Sequence, residues 1–157
     1  MEIVNYQIDD LNEIYQVLNV SEILYLAVNR EGYPHMYSVL FGVEKRDGQI
    51  ILYFMDDKKN EKEKALEKNP QVAIRTEVVY EYYEYPETAL SSSYECVYGH
   101  GTCTLANNEF SHAMDLILLH YGFEGYWVDP VVRETKNIYK IVLDEAAGKR
   151  HVKTPQK

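Results

Sequence analysis

The sequence predicts a single mainly β domain over residues 1–157: an antiparallel, barrel-like sheet with helices added at its ends. Three observations carry that reading. Short runs of β-forming residues follow one another with turn signals between them. No βαβ alternation occurs, which excludes a parallel sheet covered by helices. Tyrosine accounts for 15 of the 157 residues, and its apolar ring with a polar tip suits strands and half-buried surfaces. At 46% hydrophobic and 26% charged residues, the chain has a globular rather than a disordered balance.

Residues 1–20 read as an N-terminal helical segment. Leu11, Ile14, Tyr15 and Leu18 make one apolar stripe, and Asp10 with Glu13 forms a capping box. Ile23 to Val28 has a strand's length, and Asn29-Arg30-Glu31-Gly32 reads as a turn. His35 to Val43 is a second strand. Asp47-Gly48 gives the hairpin signal, and Gln49 to Met55 returns, so residues 23–55 predict a three-stranded meander. Asp56 to Lys68 holds five lysines, three glutamates and two aspartates, a short solvated helix that stops at Asn69-Pro70. Gln71 to Val79 is the next strand. Glu77 to Glu95 carries five Glu and five Tyr and no Lys or Arg, an acidic hairpin or excursion at the sheet edge. Tyr94 to Leu105 is a long strand with a bulge at Gly99-His100-Gly101. Asn107-Asn108 caps a helix reaching Tyr121. Ile138 to Leu143 is the last strand, and the basic tail 149–157 is expected to be mobile. The total is about six strands and three helices.

Charge and motifs exclude several classes. The net charge is −9, which repels phosphate backbones and argues against nucleic acid. No run approaches the ~20 apolar residues of a membrane span. The first residues lack a basic region followed by an apolar stretch, so no signal peptide is expected. Two cysteines then suit a reducing compartment, and the expected location is the cytoplasm. Cys96 and Cys103 lie seven apart on one strand, too far for a disulfide. No metal site is expected: no His pair has HxxxH spacing, no Cys-x-x-Cys occurs, and His112 and His120 lie about 12 Å apart along one helix. Ser91-Ser92-Ser93 has no hydrolase-elbow context, and Gly99-His100-Gly101 lacks a dinucleotide fingerprint.

The lysine-rich stretch admits two readings. One is a solvated helix. In the other, a helix start directly after a strand offers N–H groups and a positive dipole end, and with Lys59 and Lys62 beside it forms a phosphate cradle. Asp56 and Asp57 suit an N-cap there but oppose an anion.

The order of these features resembles the pyridoxamine 5′-phosphate oxidase-related FMN-binding split barrels, and within them the branch of nitroimidazole-resistance (Nim-type) proteins. The resemblance runs along about 125 residues. Leu24 to Pro34 is similar to the first strand, acidic-Gly turn and Gly-x-Pro. His35 to Phe41 resembles the strand that lines the flavin. Ile51 to Phe54 with the lysine-rich helix and Asn69-Pro70-Gln71-Val72 resembles the third strand, phosphate loop and entry to the fourth. Tyr94 to Gly101, the helix ending His120-Tyr121 and Ile141 to Arg150 also match. The resemblance implies a six-stranded antiparallel Greek-key split β-barrel with peripheral helices. It implies FMN as cofactor and a homodimer with the flavin site at the interface, where the surplus tyrosines and Trp127 would serve. Tyr37, Ser38 and Val39 would lie against the isoalloxazine ring, Met55 would stand where many relatives have a histidine, and Lys62, with Lys59 beside it, would hold the phosphate. The pattern differs in having Asn60 for the loop glycine, Glu61 for a basic residue, and Asp56-Asp57 in the loop.

The activity so implied is a small-molecule oxidoreductase in which the flavin carries the hydride chemistry and no protein base is required; no catalytic side chain is assigned. The alternatives are a flavin carrier or sensor without turnover, a barrel binding another ligand such as haem, and a dimeric interaction module. Pyridoxamine phosphate is not the expected substrate, because no second set of basic residues is present to hold its phosphate ester.

Overall fold

The computed structural model describes residues 2–154. In chain order the elements are β1 (Ile3–Ile8), α1 (Leu11–Val20), β2 (Leu24–Asn29), β3 (Pro34–Val39), β4 (Phe41–Arg46), β5 (Gln49–Asp57), α2 (Glu61–Lys68), β6 (Gln71–Tyr85), β7 (Ala89–Leu105), a 3₁₀ turn (Asn107–Glu109), α3 (Phe110–His120), α4 (Pro130–Thr135) and β8 (Lys136–Lys153). The sheet runs β3-β2-β6-β7-β8-β5-β4, with β1 added beside β8. Each pairing is antiparallel.

The two outermost strands of that path, β3 and β4, are separated only by Leu40. Its two ends are therefore tied by the chain itself, and the sheet curls into a barrel. Counted as one bent strand, β3 and β4 bring the barrel to the expected six, with β1 as an addition. The expected meander is corrected on this point. His35 to Val43 is not one strand between two neighbours; its halves pair with β2 and β5 at opposite ends of the sheet. Asp47 and Gly48 both have positive φ, as a two-residue hairpin turn demands.

Two apolar clusters sit on the two faces of the sheet. Inside the barrel lie Leu24, Leu26, Val28, Phe41, Leu52, Phe54, Ile74, Val97, Tyr139 and Ile141, joined by Ile14, Val17 and Leu18 of α1. Outside β5 and β8, Ile51, Tyr53 and Ile138 pack under Phe110, Ala113, Met114 and Ile117 of α3. Gly42 lets α3 come down onto β4; a Cβ there would sit 2.8 Å from the backbone nitrogen of Ile117.

Four further expectations change. Residues 1–20 are not all helix: Ile3–Ile8 is a strand, and helix begins at Leu11. Asp10 caps α1 by accepting from the Glu13 amide at 3.1 Å, but Glu13's carboxylate turns instead to Arg150 and Tyr6. The tail from 149 to 153 is ordered as the end of β8, pairing with β1 and β7; residues 155–157 lie outside the described residues. The irregularity at Gly99-His100-Gly101 exists, but its extra residue is Asp144 of β8, since His100 pairs with Glu145 and Gly101 with Leu143. The acidic stretch 77–95 is a hairpin that runs out beyond β2, turning at residues 86–88.

Candidate functional site

A concentration of polar side chains lies at one end of the barrel, where β5 runs into α2 beside the β2–β3 turn. Inward-facing positions at a barrel end reach the rim, so polar side chains there remain partly solvated. Along β5 the interior positions are Ile50, Leu52 and Phe54, which places Asp56 next on that side. Along β3, His35, Tyr37 and Val39 share one face and Met36, Ser38 and Leu40 the other, and burial alternates accordingly.

Asp56 is the hub. Its Oδ2 accepts from Lys62 Nζ at 2.8 Å and from Asn60 Nδ2 at 2.6 Å. Its Oδ1 accepts from the Asp57 amide at 3.0 Å. Burial pushes the Asp56 carboxyl up, but the hydrogen bonds from Lys62 and Asn60 and the charge of Lys62 outweigh this and leave it lowered. Lys62 Nζ also stands 4.2 Å from the centre of the Tyr37 ring, a cation–π contact. Tyr37 OH accepts from Arg30 at 3.2 Å, and Arg30 pairs with Glu61 at 2.7 Å. Next to this cluster, a cleft of about 830 Å³ separates the β2–β3 turn from α2 and is lined by Arg30, His35, Glu61, Lys64 and Lys68.

The start of α2 is capped by its own side chains. Asn60 caps the helix, accepting from the Glu63 amide at 3.1 Å, and Glu63 accepts from the Lys59 amide at 2.6 Å. Lys59 holds a positive φ in this turn, and its side chain is exposed. Deeper in, Tyr139 is buried with no partner for its hydroxyl, and burial pushes its phenol up to about 12. Burial does the same to the thiol of Cys103, so that sulfur is an inert core group.

A second feature is the outer face of β3, β2, β6 and β7. Register places Ser38, Tyr25, Arg75 and Tyr98 in one row across the strands, and Met36, Ala27, Ala73 and His100 in the next. Met36 is 69% exposed, Leu40 56% and Tyr25 43%. A depression of about 390 Å³ lies over Ala27 and Ala73, edged by Asn29, Pro34, Gln71, His100 and Asp144.

The six residues proposed from sequence are thus divided. Tyr37 and Lys62 meet at the rim. Ser38 faces outward on the open face. Val39 is in the barrel core. Met55 is half-buried on the outer side of β5 with the α3 cluster. Lys59 is in solvent. Three consecutive strand residues cannot all turn side chains to one ring, because successive side chains alternate; that alternation was readable in the sequence. Arg30 and Asp56 were not assigned as binding residues. The Arg30–Glu61 pair spans 31 positions, and no local signal announces it.

The sequence model of the family described as pyridoxamine 5′-phosphate oxidase matches residues 10–150. The chain belongs to the pyridoxamine 5′-phosphate oxidase family. No protein among the curated sequences matches it. Several solved structures share the fold of this family member. A candidate 5-nitroimidazole antibiotic resistance protein from Bacteroides thetaiotaomicron is 20% identical, with 96% of this chain and 90% of that chain covered and a TM-score of 0.78. An FAD and haem binding protein from Mycobacterium smegmatis is 15% identical, with 96% and 76% covered and a TM-score of 0.74. An FAD-binding protein from Mesorhizobium loti is 14% identical, with 98% and 100% covered and a TM-score of 0.65. At these identities the likeness is one of fold.

The residues present can be tested against FMN. The open face of exposed Met36, Leu40 and Tyr25 beside small Ala27 and Ala73 suits a flat apolar ring. The start of α2 does not suit a phosphate, because its lysine is held by the Asp56 carboxylate, which would face the phosphate as like charge.

Proposed function

We propose that this family member is a homodimeric flavoprotein of the cytoplasm that acts as an oxidoreductase on a small molecule, with the flavin ring held on the outer face of β3 and enclosed by a second copy. The observation that carries the reading is the open face itself. It combines exposed apolar side chains with a floor of alanines on strands that a rigid barrel holds in register, which is how flat ligands and partner surfaces are met. Family membership and the names of the flavin-binding and nitroimidazole-resistance neighbours support the ligand class. Two buried unpaired cysteines support a reducing compartment, and among the described residues no helix is long and apolar enough to cross a membrane.

FMN is the flavin that the sequence resemblance implies. A bound flavin supplies hydride transfer. This chain's part is to seat the ring, exclude water with Met36, Leu40 and Tyr25, and offer Ser38 and His100 as polar groups on that face. The test is a visible spectrum of the purified protein, titrated with flavin, followed by anaerobic addition of NAD(P)H and then a nitroaromatic acceptor. Perturbed flavin bands with bleaching and reoxidation support the reading. Binding without reduction leaves a carrier or sensor, and a Soret band in the purified protein would mean haem instead.

A further inference from the structure

We infer that the rim of this barrel selects against a flavin phosphate monoester, because the chain's own Asp56 occupies the anion position beside Lys62, so that the preferred flavin is one with an uncharged ribityl end. The inference rests on the flavin reading above and narrows it.

An anion site at a helix start needs unsatisfied N–H groups and an uncommitted cation. Here the cation is committed and part of the N–H set is already taken. The amides of Asp57, Lys59 and Glu63 already donate to Asp56, Glu63 and Asn60. Lys62 is only 12% exposed along its side chain and bonds Asp56 at 2.8 Å. The neighbouring cations also have carboxylate partners, in more exposed pairs: Arg30 with Glu61, Lys136 with Asp57, and Lys68 with Glu31. From Asp56 to Lys64 the chain carries four acidic and four basic side chains, Asp56, Asp57, Glu61 and Glu63 against Lys58, Lys59, Lys62 and Lys64, so the loop has no net charge to attract a dianion.

For a phosphate to take Lys62, the Asp56–Lys62 bond must break. That would leave a carboxylate of 17% exposure beside a doubly charged group, without its cation. Stranding one member of a pair this far out of water is the costly way to open it. Lys58, Lys59 and Lys64 are exposed and offer only screened, mobile charge. A neutral ribityl chain asks for none of this. Its hydroxyls can donate to carboxylates that a phosphate would meet as like charge.

The test is a set of fluorescence-quenching titrations with riboflavin, FMN and FAD at one ionic strength, on the wild-type chain and on Asp56→Asn. The wild-type chain is expected to bind riboflavin at least as tightly as FMN. Asp56→Asn keeps the hydrogen-bonding shape but frees the charge of Lys62, and should shift the ratio toward FMN by about tenfold, the scale of one charge-assisted contact. Lys62→Gln, which does not depend on the first variant folding, leaves Asp56 without its cation and should weaken FMN while leaving riboflavin within about twofold.

A wild-type preference of tenfold or more for FMN or FAD over riboflavin overturns the inference. So does an Asp56→Asn ratio that does not move, or a Lys62→Gln variant that binds FMN as tightly as the wild-type chain. If the wild-type chain binds none of the three, the flavin reading itself falls and takes the inference with it.

Discussion

At position 101 the barrel leaves no room for a side chain. A Cβ on Gly101 would run into the carbonyl oxygen of Val142, and one on Gly99 into that of Glu145, both backbone atoms of β8. Neither oxygen can swing aside as a flexible side chain would, because both sit where β7 and β8 are joined along their length. Gly101→Ala is therefore expected to lower stability by about 1–3 kcal/mol, the usual range for overpacking, as read by urea denaturation. Asp56 gives a residue-scale prediction with a pH sign. Its carboxyl is lowered in the folded chain, so its ion pair adds stability above the unfolded value near pH ~3.9 and loses it as pH falls through the lowered folded value. The stability gap between the wild-type chain and Asp56→Asn should stay constant over about pH 5–8 and close below about pH 4. A gap that widens on acidification would contradict that assignment. The charge pattern showed that the rim would be ionic. It did not show which lysine each acid takes, because that depends on where β5 ends relative to α2.

Among the elements, β1 shows why part of the chain could not be read. Its burial runs half-buried, half-buried, three exposed, then buried at Ile8, with no period-two alternation, because a strand added at the edge of β8 meets the core only at its last residue. Ile8 is nevertheless fully buried, packed where Gly148 would otherwise carry a side chain. Ile8→Ala should cost about 2–5 kcal/mol, the range for a large buried aliphatic cut to alanine, measured by thermal and urea unfolding. Gln7→Ala, one residue away and exposed, should cost under about 0.5 kcal/mol. Equal losses would mean that β1 acts through its backbone pairing and not through Ile8. By contrast, α1, the Asp-Gly hairpin and α3 were legible, since each has a strong local signal: a stripe, a turn dipeptide, an apolar face. The cap expected for α3 at Asn107-Asn108 does not form: Asn107 accepts from the Ile138 amide and donates to Asn137 instead. α4 has six residues and none of them buried, so it left no such signal.

At the scale of the whole molecule, the antiparallel barrel was legible from turn spacing and the absence of βαβ alternation, whereas its closure was not. The bend at Leu40 that sends β3 and β4 to opposite ends of the sheet is a long-range event that no window of sequence displays. The same bend decides which faces are covered. α3 lies over β4 and β5, and the outer side of β3, β2, β6 and β7 is left with Met36, Leu40, Tyr25 and Tyr98 exposed. If a second copy covers that face, it closes over the depression floored by the Ala27–Ala73 pair. Ala73 is exposed, so a long side chain there extends into solvent and spares the fold of a lone chain. Ala73→Arg should therefore unfold close to the wild-type chain when both are monomeric. It should weaken self-association by about 2 kcal/mol or more, as a charge placed at an interface centre does, and weaken flavin binding with it. Light scattering across a dilution series reads the first effect and flavin titration the second. A variant that stays dimeric and binds flavin normally would move both the partner and the ring off this face. One that becomes monomeric yet still binds flavin would separate the two, leaving the ring on the barrel and the partner as a cover.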